Sequence, residues 1–301
     1  MPSMPAMLSL AAQNFLSKQT LERTPEPDLI MTQQANVDQF DLILNSNVAI
    51  SFCGAIELLH QIKAITNAKN ILDLACGPGH FSLFLTKYSS GKVTGVDLSD
   101  QMLEKARDNA QKQGLSDRVQ FISGDITNLS QFNDKQFDLI TCTNSAHHLP
   151  SSAQLTSMFN EIDRLLTDQG TGFIMDLTRL KTAQCLNKYI NMMGQEYLDH
   201  NLEAFYEDFS NSMHAAWTPD EFRSAVPKNT NYNWFHFSIF PLPINQFLLA
   251  KPKVWTPEKS ENLFSWPNSE APVRTDLQED YANYRQLLFS SYRWFLKSLA
   301  N

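Results

Sequence analysis

A few acids, glycines and histidines in this chain stand at spacings that could do chemistry. Asp73 leads the run Asp73-Leu74-Ala75-Cys76-Gly77-Pro78-Gly79-His80. Gly77 and Gly79 permit a tight turn and let a ligand approach the backbone closely. A helix starting there would also offer free N–H groups. Asp97 follows at about the 20-residue offset at which an acid takes ribose hydroxyls in nucleotide-binding folds. Gly124-Asp125-Ile126 comes next: Asp125 could accept from an adenine amino group, with Ile126 against the ring. Thr143-Asn144-Ser145 adds short polar side chains. Taken singly, Asp97 or Asp125 reads as a solvated turn or a helix cap. Their order along the chain carries the weight. Candidate bases are His147, His148 and Asp176. Each has a plainer reading: the histidine pair as a shaped loop, Asp176 as an ion pair with Arg179 or a helix cap.

These residues matter only if strands and helices bring them together. Ile71–Ala75, Val93–Val96, Val119–Ile122, Phe137–Cys142 and Gly172–Leu177 are short apolar runs separated by helical patterns. That alternation predicts parallel βαβ units. Each acid then ends a strand, at the edge where open α/β sheets bind ligands. Ser99 is expected to cap a helix whose inner face is Met102, Leu103, Ala106 and Ala110. Ala153–Leu166 reads as another helix. Upstream, Val48–Thr66 has helical spacing, and Pro25 and Pro27 break the chain before it. Downstream, Cys185–Leu202 reads as helical, and Thr218-Pro219-Asp220-Glu221 spells a capping box. Asn233–Phe240 and Asn245–Ala250 read as a hairpin at a sheet edge. Lys251–Asp276 is loop-rich, with Thr256-Pro257 as a second helix start. The stripe Tyr281, Tyr284, Leu287, Leu288, Tyr292, Phe295 and Leu299 predicts a closing amphipathic helix, packed on the domain or, alternatively, joining two copies.

The motifs carry a resemblance. ILDLACGPGHF (71–81), VTGVDLSDQML (93–103), VQFISGDI (119–126) and FDLITCTNSAHHLP (137–150) resemble the strand-end motifs of class I S-adenosylmethionine-dependent methyltransferases. The likeness covers about residues 71–250. It implies a Rossmann-like α/β fold: a doubly wound, mostly parallel seven-stranded sheet with a C-terminal antiparallel hairpin and helical additions at both ends. The implied organisation is a helical N-terminal cap (1–68), a methyltransferase domain (69–250, with a helical lid at about 180–225) and a C-terminal extension (251–301). The implied cofactor is S-adenosyl-L-methionine. Asp73 and the turn of Gly77 and Gly79 would hold its amino-acid end. Asp97 would bind the ribose, with Leu98 and Met102 near the adenosine, and Asp125 and Ile126 would hold the adenine. Asn144 would face the same cleft. Ala75 departs from the pattern, which often has glycine there. A nicotinamide-dinucleotide enzyme is the competitor. The third small residue of that fingerprint corresponds to Ser82, and the acids at 73 and 125 suit the methyl donor better.

The bulk properties narrow the partners. The chain has 301 residues, 43% hydrophobic, with a formal net charge of −8. No long basic run offers phosphates a partner, so a nucleic-acid acceptor is not expected. The acidic balance disfavours anionic membranes, and no apolar run approaches the roughly 20 residues of a membrane span. Met1–Leu21 lacks the basic start of a secretory signal, so a cytoplasmic protein is expected. Four cysteines, none in a CxxC pair, give no metal signature, and no metal is expected. The expectation is a methyltransferase acting on a small molecule, with a protein methyltransferase or a non-catalytic cofactor-binding scaffold as the alternatives.

Overall fold

A computed structural model describes residues 4–27, 34–43, 47–256, 266 and 271–299. The alternating pattern folds into β1 (Asn70–Leu74), α4 (His80–Tyr88), β2 (Lys92–Asp97), α5 (Asp100–Lys112), β3 (Val119–Ser123), β4 (Phe137–Thr143), α6 (Ser152–Leu165) and β5 (Leu166–Leu177). Before them come α1 (Met4–Leu16), α2 (Gln34–Leu42) and α3 (Asn47–Gln61). After them come α7 (Ala183–Asp199), α8 (Glu203–Ala215), α9 (Pro219–Ser224), β6 (Tyr232–Ser238), β7 (Asn245–Pro252) and α10 (Gln278–Leu299).

The strands form a seven-stranded sheet in the order β3-β2-β1-β4-β5-β7-β6. The first five are parallel, and β7 runs antiparallel to both β5 and β6. The expected Rossmann-like architecture and its terminal hairpin are both present. Strand order reverses between β1 and β4, which is the switch point where such sheets leave a crevice. Two apolar layers sandwich the sheet. On one side Leu58, Leu59, Phe81, Leu103, Leu288 and Phe295 from α3, α4, α5 and α10 are buried. On the other, Leu155, Phe159, Ile162 and Phe222 from α6 and α9 are buried.

β5 begins six residues before the expected Gly172. Its register with β4 jumps from Phe137↔Leu166 to Leu139↔Thr171. The extra residues form a bulge, and their polar Thr-Asp-Gln-Gly sequence reads as a turn when strand alternation is the only guide. The capping box is as expected: Thr218 Oγ1 accepts from Glu221 N, and Glu221 Oε2 accepts from Thr218 N at 2.7 Å. The closing stripe packs on the domain. Tyr281, Leu288, Phe289, Tyr292 and Phe295 are buried, and Arg285 Nε donates to the buried Glu57 of α3 at 2.6 Å. The helix expected to start at Thr256-Pro257 lies, beyond Thr256 itself, outside the described residues, as does half of 251–276.

Candidate active site

Register brings the strand-end acids side by side. Asp73 on β1 lies opposite Gly95 on β2 and Thr141 on β4. Asp97 pairs with Ser123, so Gly124-Asp125 begins just beyond it. Thr143 pairs with Met175, which sets Asn144 beside Asp176. A cavity of about 310 Å³ opens over these ends. Asp73, Ala75, Gly77, Asp97, Leu98, Met102, Asp125, Ile126, Asn144, His147 and His148 all border it.

Asp97 ties the turn together. Its Oδ2 accepts from Gly77 N at 2.8 Å and its Oδ1 from Ser99 N at 2.9 Å. Burial raises its carboxyl above the usual range, against the pull of those N–H groups. Asp125 is exposed, and its Oδ1 accepts from Thr127 N at 2.8 Å. Ala75 has φ 51°, a left-handed conformation that L residues other than glycine rarely adopt. Asn144 shares it, also with φ 51°. That backbone requirement explains why the related motif often carries glycine at position 75.

Two expected site residues stand behind the wall. Gly79 has φ 81°, and a Cβ there would lie 2.8 Å from Phe121 Cζ and 2.9 Å from Ala106 Cβ. Its glycine character serves the close packing of α4 on the sheet. Asp176 is wholly buried, and its Oδ1 lies 2.6 Å from His147 Nδ1. The expected ion pair of Asp176 with Arg179 does not form. Arg179 instead donates to Glu221 at 2.8 Å and to the Ala216 carbonyl at 2.7 Å. The capping box places a carboxylate within its reach.

Asp73 is 1% exposed and takes hydrogen bonds from Ser82 Oγ at 2.6 Å and Thr141 Oγ1 at 2.7 Å. Burial pushes its carboxyl up to about 6, against those two hydroxyls, which lower it. Ser82, the residue that departs from the dinucleotide fingerprint, thus has a positive task.

Several residues of the site escape a reading of the sequence. Residues 18–27 run as an irregular strap against the His147-His148 loop. Arg23 fastens it, donating to the carbonyls of Ala215 (2.6 Å), Pro150 (2.9 Å), His147 (2.8 Å) and Leu149 (2.7 Å). Its guanidinium also lies 3.6 Å from the centre of the Trp217 ring. Glu26 follows, with Oε2 3.1 Å from His148 Nδ1 and Oε1 accepting from Ser212 Oγ at 2.7 Å. Burial pushes His148 down, but the Glu26 hydrogen bond and charge outweigh it, leaving the imidazole above its ordinary value. Glu26 itself lies below its ordinary value, because its bonds to His148 and Ser212 outweigh burial. The only sequence mark of Glu26 is an acid between two prolines. Tyr189, Met193 and Tyr197 of α7 and Phe205, Asp208 and Phe209 of α8 complete the wall. Trp217 stands outside the cavity and braces the loop by donating Nε1 to the Ala146 carbonyl at 2.9 Å.

The fold is shared with known proteins. Residues 71–170 match the family model described as a methyltransferase domain. Residues 71–170 thus form a methyltransferase domain of the class I S-adenosylmethionine-dependent superfamily. It is 32% identical over 113 residues to a sterol 24-C-methyltransferase of Gibberella zeae, covering 38% of this chain and 28% of that protein. It is 36% identical over 127 residues to a demethylmenaquinone methyltransferase of Leptospira interrogans, covering 40% of this chain and 50% of that protein. The chain thus spans half or less of the length of these two relatives. A methyltransferase structure from Aquifex aeolicus shares the fold, with a TM-score of 0.51 at 13% identity over 73% of this chain and 98% of that one.

S-adenosylmethionine is the cofactor of the superfamily, and the residues present fit it. The cavity sits at the switch point, its turns are held open in left-handed backbone, and Asn144 Oδ1 is buried with no partner among the described residues. Such an acceptor is free to take a hydrogen bond from a ligand's donor. Among the described residues, no helix is long and apolar enough to cross a membrane.

Proposed function

We propose that the protein transfers a methyl group from S-adenosylmethionine to a small molecule held between the strand-end turns and the helices α7 and α8. The observation that carries this reading is a continuous cavity. Nucleotide-type turns border it on one side, and His147, His148, Asp208 and the lid aromatics border it on the other, with Glu26 paired to the two histidines.

When bound, the cofactor supplies a sulfonium methyl that is already activated, with a neutral leaving group. The chain's task is then to align and to exclude water. Asp97 takes the ribose hydroxyls while holding the Gly77 turn. Asp125 and Ile126 hold the adenine, beside Leu98 and Met102. The Asp73 charge and the Asn144 carbonyl oxygen face the amino-acid end. Asp73 acts through its field, since Ser82 and Thr141 already occupy both its oxygens. His147, oriented by Asp176, and His148, paired with Glu26, activate the acceptor's nucleophile. The lid aromatics Tyr189, Tyr197, Phe205 and Phe209 favour an apolar acceptor. The relatives' names, a sterol and a menaquinone-precursor methyltransferase, support the same acceptor class. An acceptor enclosed in this way favours a small molecule over a protein side chain. The division into an N-terminal cap (1–68), a methyltransferase domain (69–250) and a C-terminal extension (251–301) belongs to the same proposal.

Calorimetry with S-adenosylmethionine and S-adenosylhomocysteine tests the reading. Both should bind the wild type. Asp97→Ala should weaken both about 100-fold, since two turn-holding bonds and the ribose bonds to a charged group go together. No binding to the wild type removes the reading, and an unchanged dissociation constant in Asp97→Ala removes the ribose assignment.

A further inference from the structure

We infer that Glu26, His147 and His148 form a binding site for a divalent transition-metal ion on the acceptor side of the cavity. The inference rests on the methyltransferase reading only for what the ion would do.

The geometry is the first argument. A Glu26 carboxylate oxygen, a His147 ring nitrogen and a His148 ring nitrogen lie within 4.8 Å of one another. Glu26 Oε1 is 3.5 Å from His147 Nε2, and Glu26 Oε2 is 3.1 Å from His148 Nδ1. An ion about 2.0–2.2 Å from each ligand atom sets neighbouring ligands roughly 3–3.5 Å apart, the span of the two Glu26–histidine distances, and the three ligand atoms draw in to that span around the ion.

The surroundings of the ligands are the second. His147 turns its other nitrogen to Asp176 Oδ1 at 2.6 Å, and that carboxylate is 0% exposed. A buried carboxylate behind the imidazole is how metal-ligating histidines are oriented and made more basic. Glu26 is braced in turn by Ser212 Oγ at 2.7 Å.

Charge is the third. Asp208 lies within Coulombic reach of Glu26, His147 and His148, and Asp176 stands behind them. The nearby arginines are committed elsewhere: Arg23 to four carbonyls, Arg179 to Ala216, Leu21 and Glu221. Three carboxylates around two imidazoles have the Arg23 charge within Coulombic reach of Glu26 and Asp176, but no lysine or arginine ion-paired to any of them among the described residues. A dication would balance the remaining negative charge.

Two imidazoles and a carboxylate suit zinc, iron or nickel better than magnesium. His147 and His148 line the same cavity as the cofactor turns, so positions left open on the ion would face the acceptor. A dication there lowers the pKa of a hydroxyl brought to it. The acceptor class that profits is therefore an apolar molecule bearing a hydroxyl or enol oxygen.

The test uses tag-free full-length protein, stripped with chelator and dialysed. Zinc titrated by calorimetry should saturate at one ion per chain, and cobalt in its place should give visible ligand-field absorption. Glu26→Gln and His148→Gln should each weaken zinc binding at least about 10-fold, and Asp176→Asn, acting through His147, about 10- to 100-fold. No stoichiometric uptake by the wild type overturns the inference, as does uptake that all three variants leave unchanged. S-adenosylhomocysteine binding is measured on the same stripped protein. If it is retained while zinc fails, the metal site falls and the methyltransferase reading stands. If zinc binds while S-adenosylhomocysteine fails, the reverse holds.

Discussion

The cofactor side and the acceptor side of one cavity are built by different means. On the cofactor side, turns that directly follow strands are pinned by short backbone bonds. Cys76 N donates to the Val96 carbonyl at 3.0 Å, Gly124 N to the Asp97 carbonyl at 3.0 Å, and Asn144 N to the Met175 carbonyl at 2.8 Å. On the acceptor side, side chains far apart in sequence meet across a strap. Glu26 reaches Ser212, 186 residues away, and Arg23 reaches Ala215, 192 residues away. A site made by strand register can be read from local motifs. A site made by tertiary contact leaves little trace in its own neighbourhood.

The sharpest way to break this comparison is Arg23→Ala. The change leaves four carbonyls without a donor and removes the contact with Trp217. Burial, followed by the charge of Arg179, already lowers this guanidinium to about 10, so it is held there by its partners. The expected stability loss is about 3 kcal/mol, as for severing bonds to a charged group in a buried setting. Acceptor turnover should fall at least tenfold, while S-adenosylhomocysteine affinity moves less than about threefold. Equal loss on both sides would mean that the two halves are a single mechanical unit and the contrast is wrong.

The same contrast separates what the amino-acid order discloses from what it hides. The strand-end acids, the glycine turn and the terminal hairpin are legible because each depends on local spacing and on the sheet's handedness. Gly79 is legible as a glycine, but its reason is not: the demand comes from Phe121 and Ala106, on other elements. Glu26 is illegible because nothing beside it in sequence carries a motif. Asp176 is visible as a strand-end acid, yet its partner is His147 and not the neighbouring Arg179, which Glu221 holds. The early start of β5 is hidden by a polar bulge.

Asp73 sharpens the comparison through pH. Its folded carboxyl titrates at about 6, above that of an unfolded aspartate near 4, so between these values the native state binds the extra proton. Stability from this group is therefore fully present below about pH 4 and is lost as pH rises through about 6. Asp73→Asn should flatten that slope and raise stability at pH 7 by about 2 kcal/mol, read from urea midpoints between pH 4 and 7. The same variant should bind S-adenosylhomocysteine about tenfold more weakly, because a buried charge facing the ligand's ammonium is gone. Opposite signs for stability and affinity would mark Asp73 as a charge kept for the ligand. A parallel slope in both proteins, or affinity that rises with stability, would make it a structural carboxylate only.

Ala75→Gly carries the smallest effect and tests the backbone argument directly. A left-handed alanine costs roughly 1–2 kcal/mol relative to its preferred conformations. Glycine removes that strain but loses roughly 0.5–1 kcal/mol of chain entropy on folding. The difference is a net gain of about 0.5 kcal/mol, or a Tm rise of about 1–2 °C for a chain of this size. Cofactor affinity should stay within about twofold, since the turn already has its conformation, with Ser145 Oγ donating to the Ala75 carbonyl at 3.3 Å. A fall in Tm would show that the methyl group's packing, and not the φ of 51°, governs this position. The cofactor side would then owe part of its form to side chains after all, and the contrast with the acceptor side would narrow by that amount.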